Sequence, residues 1–407
     1  MDGMLGYRRA DGRWGIRNHV LVVYTVKCAE LVARRIHEAV DGTQLIGHDS
    51  CYPDPYSYRV VAELAKHPNV GGVLFVQLGC ESTPVEHWLN ETKAAGKPAA
   101  LVIIQRTGGT EGAIREGISQ ARQLCQQAGQ ARPEPISWKE LTVGIECGGS
   151  DATSGLAANP AVGYAADRII QAGGSCIFSE LPELLGTDQY LLDKAETPQV
   201  RQAIQDGLRR ARGLSNRLKT FAVSAGNENS GLTTIEEKSL GALCKAGSSP
   251  IRGVLRTGQR PDSSGLYLLD KVGDIDSNQL SVYEENDNDG FAALLACGAQ
   301  LILFTTGCGN VVGNAVAPVL KICGNPRQTA CMGDDFDVDA SGIVQGRETI
   351  PQVGERVVER VRAVCGGAPA RAEVYGHEEF YIARKFSRAC DVTYLDGAKG
   401  DGSHGTV

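Results

Sequence analysis

The sequence predicts an α/β protein made of two α/β domains with mainly parallel sheets and a loop-rich insertion. Short, almost uninterrupted apolar runs recur along the chain, as expected for strands buried on both faces of a parallel sheet. Stretches with helical spacing fall between them, the order that a helix-covered parallel sheet requires. The chain has 407 residues, 42% of them hydrophobic, enough to fill two or three domain cores.

The runs at 20–26, 73–78 and 101–105 read as the strands of the first domain. Cys28, Leu31, Val32, Ile36 and Val40 mark one helical stripe, Val60, Val61 and Leu64 a second, and 110–127 a third helix with a Thr-Glu start. Pro133 and Pro135 mark the boundary, so the first domain is drawn as 1–134. Strands at 141–145 and 175–178 then flank a helix at 160–172, opened by Asn159-Pro160. A polar helix covers 197–212. The Gly-, Ser- and Asn-rich stretch at 222–270 reads as loop, and the insertion is drawn near 222–290. Strands at 301–305 and 319–323 and a helix at 353–364 complete a second domain at 135–385. A last strand at 391–395 and a flexible tail fall within 386–407.

Glycine, at 50 residues, is well above its usual share of about 7%, which indicates many tight loops. The 13 cysteines are an odd number and far below the density of a disulfide scaffold, so they read as thiols of a reducing cytosol. A net charge of −7, from 48 acidic and 41 basic residues, argues against a nucleic-acid or membrane surface and for a small-molecule substrate. No apolar run approaches the roughly 18 residues of a membrane span, and the N-terminus lacks a signal-peptide core. A soluble cytoplasmic protein is expected.

Five cysteines follow a predicted strand: Cys28, Cys51, Cys80, Cys147 and Cys308. Ligands of open α/β sheets bind outside the carboxyl ends of the strands, so these side chains can converge on one site. Cys125, Cys176, Cys244, Cys297, Cys365 and Cys390 lack that placement and read as small buried hydrophobes. No C-x-x-C pair occurs, which argues against a common structural zinc site. A site assembled from separate loops could draw on His48, Cys51, Cys80 and Glu81, whose soft and hard donors suit iron or another transition metal. His67 reads as a helix C-terminal residue favoured by the macrodipole.

Glycine-bearing loops accompany these cysteines at 78–81, 107–110, 146–151 and 306–310. Free backbone N–H groups in such loops suit a carboxylate, sulfonate or phosphate. No loop fits the Walker or dinucleotide glycine pattern, so an ATPase or dinucleotide oxidoreductase is disfavoured. Arg13, Arg17 and Asn18 before the first strand, and Lys238, Lys245 and Arg252 in the insertion, are the basic and polar groups available to an anion.

The segments GYRRADGRWGIRN, HPNVGGVLFVQLGCE, IQRTGGT, ECGGSDATSGLAANPAVG, ELPELLG, GLTTIEEKSLGALCKAGSSP and LILFTTG follow one another in the order of a known family. From about Gly6 to Pro326 the chain resembles the altronate/galactarate dehydratases, a family that includes the sulfolactate sulfo-lyase large subunit. The resemblance implies a lyase acting on a 2-hydroxy acid, with Fe(2+) or Mn(2+) as cofactor. Such an enzyme removes the proton α to the carboxylate and expels the β-hydroxyl, giving a 2-keto-3-deoxy acid. A Lewis acid on the carboxylate and 2-hydroxyl and a general base would make the weakly acidic C–H removable.

The family's dehydratases carry a small domain ahead of the GYRRADG segment, and here five residues precede it. A small partner subunit carrying that domain is therefore expected, within an oligomer. Pro53 and Pro55 in HDSCYPDPYSY, Cys308 after FTTG, and Asn227-Glu228-Asn229 depart from the family pattern in the expected substrate loops, so neither altronate nor galactarate specificity is carried over. Dehydration of a sugar acid is the leading reading. Sulfite elimination from 3-sulfolactate and a non-catalytic ligand-binding protein of the same fold are the alternatives. His48, Cys51, Cys80, Glu81 and Cys147 are the expected catalytic residues, the first four also as metal ligands. Arg13, Arg17, Asn18, Thr107, Gly108, Gly109, Ser150, Asp151, Lys238 and Lys245 are expected around the substrate.

Overall fold

The computed structural model describes residues 3–52, 54–218, 230, 232, 234–274 and 286–383. Two short strands, β1 (Leu5–Arg8) and β2 (Trp14–Gly15), lead into β3 (His19–Tyr24), β4 (Thr43–Gly47), β5 (Val70–Gln77) and β6 (Ala99–Ile103). The last four form a parallel sheet of order β4-β3-β5-β6, as the unbroken apolar runs require. Helices α1 (Glu30–Glu38), α2 (Pro55–Ala65), α3 (Val85–Ala94) and α4 (Gly109–Ala128) connect the strands. Alternation along β3 decides what each face meets. Val20 and Val22 pack with Val32 and Ile36 of α1 and Leu124 of α4, while Leu21 and Val23 pack with Val60 of α2 and Trp88 of α3. The proline-marked boundary is a strand rather than a loop: β7 (Glu134–Pro135) pairs with β1, so start and exit of this part are tied together.

The second sheet has seven parallel strands: β8 (Thr142–Cys147), β9 (Ser175–Phe178), β10 (Ile251–Leu255), β11 (Gly265–Leu269), β12 (Leu301–Thr306), β13 (Val319–Cys323) and β14 (Val338–Asp339), in the order β10-β11-β9-β8-β12-β13-β14. On one face, Val143, Ile145, Leu301 and Leu303 meet α5 (Asn159–Gln171), α6 (Pro198–Leu218) and the helix Ile350–Cys365. On the other, Ile177, Ile302 and Phe304 join Phe291 and Leu294 of the helix Asp287–Ala296 in one apolar cluster with Leu21, Phe75 and Trp88 of the first sheet. The two domains therefore share a core.

Two sequence readings need correction. The described residues of 222–290 are not all loop: they include α7 (Ile235–Cys244), β10, β11 and the opening of α8 (Asp287–Ala296). Five-residue runs such as IRGVL and GLYLL between Gly- and Ser-rich flanks hid these strands. His67 is not a charged helix end. It is buried, its Nδ1 accepts from the Asn69 N–H at 3.2 Å, and its Nε2 therefore donates to the Ala299 carbonyl 2.8 Å away, a neutral imidazole joining the domains. The expected strand at 391–395 and the tail lie outside the described residues. No helix among the described residues is long and apolar enough to cross a membrane.

Candidate active site

Adjacent parallel strands β8 and β9 end at Cys147 and Phe178, and the chain leaves them as Gly148-Gly149-Ser150 and Ser179-Glu180. Over this edge lies α7, opened by a capping box in which Thr234 and Glu237 satisfy each other's backbone N–H groups. Lys238 on α7 and Lys245 at its C-cap are seven residues apart, two turns, and so share a face. Glycine lets the helix approach: a Cβ at Gly163 of α5 would lie 2.1 Å from the Cys244 carbonyl oxygen.

The side chains brought together are Cys147, Ser150, Glu180, Glu183, Lys238 and Lys245. Lys238 Nζ lies 2.6 Å from Ser150 Oγ, 2.8 Å from Glu183 Oε2 and 3.3 Å from Cys147 Sγ. Lys245 Nζ lies 3.5 Å from the same sulfur and is ion-paired with Glu180. The Cys147 backbone N–H donates to Glu180 Oε2 at 2.9 Å. Glu180 has a φ of +71°, the one non-glycine residue in the left-handed region among the described residues, a conformation that is strained for a side chain with a Cβ.

Burial sets the protonation pattern. It works against ionisation of Glu180, yet Lys245 and Lys238 hold that carboxyl at about 2. Burial and the neighbouring Glu180 charge push Glu183 up to about 8, and the same two causes push the Cys147 thiol up to about 12. Burial alone would lower both lysines, but Cys147, Glu180 and Glu183 raise them above their usual value. Near pH 7 the cluster holds two ammonium groups against one fully ionised carboxylate, a surplus that suits an anionic ligand. Lys238 and Ser150 also line a cavity of about 370 Å³ walled by Leu232, Leu240 and Gly241.

Asp287, the first residue of α8, stands at the same edge. Its Oδ2 accepts from Asn310 Nδ2 at 2.9 Å, and a Cβ at Gly148 would lie 2.5 Å from that oxygen. Burial, with Glu180 nearby, raises its carboxyl to about 6.

The sulfur of Cys147 and one oxygen each of Glu180 and Glu183 lie within 4.8 Å of one another, the one such group of potential metal ligands among the described residues. A thiolate with two carboxylates suits iron(II), manganese(II) or zinc, so the donor set fits a divalent ion. The four residues expected as metal ligands form no such cluster. His48 is buried after β4, Cys51 and Cys80 are exposed, and Glu81 is engaged by Thr25 Oγ1 at 2.6 Å and by the Leu78 and Gly79 N–H groups. Their loops do touch, through Ser82 N–H to the Cys51 carbonyl, at the carboxyl edge of the first sheet.

Arg13, Arg17 and Asn18 lie before β3, at the opposite, amino end of that sheet. Arg13 holds Asp11 and the Lys66 carbonyl, Arg17 pairs with Glu373 at 2.7 Å, and Asn18 donates to the Ala128 carbonyl at 2.8 Å. Thr107, Gly108 and Gly109 open α4 after β6, with Thr107 Oγ1 donating to the Ile103 carbonyl. Asp151 reaches the cavity wall, but its carboxylate caps the turn at Thr153 and Ser154 and accepts from Asn325. Of the five strand-end cysteines, Cys147 and Cys308 reach this edge, Cys308 N–H donating to the Gly149 carbonyl at 2.7 Å. Among those read as buried hydrophobes, Cys176, Cys297 and Cys365 are buried and Cys125 partly so, whereas Cys244 is exposed and Cys390 lies outside the described residues.

Charged side chains buried at the strand ends of a parallel sheet, with shifted protonation and an adjoining cavity, are the marks of an α/β enzyme. Residues 138–387 match the family described as D-galactarate/altronate dehydratase, C-terminal, and residues 6–129 that described as D-galactarate dehydratase/altronate hydrolase, second domain. The chain belongs to this family, and it is a lyase. It is 32% identical to the (2R)-sulfolactate sulfo-lyase subunit beta of Chromohalobacter salexigens over 95% of this chain and 98% of that protein. It is 32% identical to altronate dehydratase of Escherichia coli and 30% to galactarate dehydratase (L-threo-forming) of the same organism. Each match covers 89% of this chain, and 73% and 72% of those proteins.

Proposed function

We propose that the chain is the large subunit of a metal-dependent lyase that dehydrates a sugar acid or related 2-hydroxy acid to a 2-keto-3-deoxy acid. The observation that carries this reading is the buried centre of Cys147, Glu180, Glu183, Lys238 and Lys245 beside the cavity. Cys147, Glu180 and Glu183 would hold Fe(2+) or Mn(2+), which when bound supplies Lewis acidity toward the substrate's carboxylate and 2-hydroxyl. Lys238, seated on Ser150 at the cavity wall, meets the negative charge that the substrate brings or that develops as the leaving group departs. Lys245 holds Glu180 ionised and in place. A small partner subunit would complete the enzyme, as the match to a protein that is itself a subunit beta supports.

End-to-end correspondence with a sulfo-lyase subunit, against about three quarters of each dehydratase, favours a second reading in which sulfite leaves from C3 of sulfolactate. The purified chain with its small partner, kept anaerobic with iron(II) or manganese(II), separates the two. A 2-keto acid formed from an aldonate and aldarate panel supports dehydration, and sulfite released from 3-sulfolactate supports the second reading. Turnover of neither class refutes both.

A further inference from the structure

We infer that Asp287 is the general base of the elimination, the group that takes the proton from C2 of the bound acid. This rests on the elimination reading above. The position of the carboxylate carries the inference. It stands at the carboxyl edge of the sheet beside Gly148, next to Cys147 in sequence, where a Cβ would overlap Oδ2 at 2.5 Å, so the absence of a side chain at 148 leaves room for the carboxylate. Asn310, in the loop after β12, fixes it by donating to Oδ2 at 2.9 Å. The other two carboxylates of the centre are engaged elsewhere: Glu180 pairs with Lys245 and Glu183 with Lys238, and both are ligands of the ion in the reading above. No lysine or arginine among the described residues is ion-paired with Asp287, although Glu180, Lys238 and Lys271 act on it through space. Burial beside Glu180 makes this carboxylate more basic than usual while leaving it mostly ionised at pH 7, as a base requires.

In the step, an oxygen of Asp287 bonds to the C2 proton. The C–H electron pair becomes the C2=C3 double bond, and the C3 bond to the leaving group breaks with its pair staying on that group; a departing hydroxide takes the proton held by Asp287 and leaves as water, whereas sulfite leaves as such and that proton passes to solvent. The enol then tautomerises to the 2-keto acid. No oxidant or reductant is needed.

The test uses the complete enzyme with its small partner and metal, and whichever substrate the wild type turns over. Asp287→Asn keeps the shape and an acceptor for Asn310. It is expected to lower kcat by about 10² to 10⁴-fold with KM within threefold, and to enlarge the isotope effect on kcat for C2-deuterated substrate. Asp287→Glu should recover part of the rate. Asn310→Asp, which loses the anchoring donor, should lower kcat less and enlarge the isotope effect in the same direction. A folded Asp287→Asn enzyme with kcat within tenfold of wild type, or a loss confined to KM, overturns the assignment while leaving the elimination reading intact. A wild type inert toward both substrate classes overturns both.

Discussion

Replacing Lys245 by methionine removes the ammonium from a site where both partners are buried, Lys245 fully and Glu180 nearly so. Two routes give the magnitude. Taking one partner from a buried ion pair costs about 3–5 kcal/mol, because a charge is left without compensation. Independently, against burial, Glu180 is held at about 2 rather than an ordinary 4.5 by Lys245 first, with Lys238 and the Cys147 N–H; at about 1.4 kcal/mol per pH unit this whole surrounding is worth roughly 3 kcal/mol. The sign follows from the depressed value: this stabilisation is complete above pH 4.5, where the unfolded carboxyl is also ionised, and is lost as pH falls toward 2. Urea unfolding of the metal-free protein should therefore put Lys245→Met about 3 kcal/mol below wild type at pH 7, with the gap narrowing at pH 3. Adding Glu180→Gln should return most of that stability, since an uncharged pair carries no stranded charge, while leaving activity lost. Equal stability of Lys245→Met and wild type at pH 7, or a double variant no more stable than the single one, would refute this account of the centre.

Other outcomes follow from the same geometry. Cys147→Ser should abolish tight binding of one iron(II) per chain, measured by anaerobic titration, with the fold retained; unchanged uptake would place the ion elsewhere. Iodoacetamide at pH 8 should label exposed Cys28, Cys51, Cys80 and Cys244 of the metal-free native protein well before Cys147, as peptide mass spectrometry can read out, because burial keeps that thiol protonated and shielded. His67, held neutral by burial, leaves the unfolded chain binding one more proton, so stability should fall as pH drops below about 6.5. In His67→Gln that slope should be shallower, which chemical denaturation at pH 7 and 5 will show.

Strand runs buried on both faces were legible because periodicity along a parallel strand hardly alternates, and 20–26, 141–145 and 301–305 fall where β3, β8 and β12 form. β10 and β11 were not, since five-residue runs inside Gly- and Ser-rich flanks carry too little periodicity, and only pairing, of β11 with β9 and of β10 with β11, makes them strands. The site divides the same way. Cys147, Ser150, Lys238 and Lys245 were named from the sequence, but as members of separate loops. Glu180 and Glu183 were passed over although the rule applied to the cysteines, a polar residue just past a strand, points to Glu180 after 175–178. Thiols point to soft ligands, and so to the cysteine-bearing loops rather than to these carboxylates.

A strand end tells which edge a side chain occupies, but not which strands are neighbours. Cys51, Cys80 and Cys147 satisfy the same rule. The first two belong to the four-stranded sheet and the third to the seven-stranded one, where β8 lies between β9 and β12. That neighbourhood puts Glu180 of one flank and Asn310 of the other on either side of the Cys147 loop, and crossing α7 adds both lysines from above. The centre is therefore a consequence of strand order, and the substitutions that should disturb it selectively lie at the ends of β8, β9 and β12 and on α7 and α8 rather than on the cysteine-bearing loops of the first sheet. Cys80→Ser, which changes an exposed thiol of that first sheet, should leave kcat within about threefold of wild type, while Lys238→Met should abolish turnover. The reverse pattern in paired assays would move the chemistry to the other sheet.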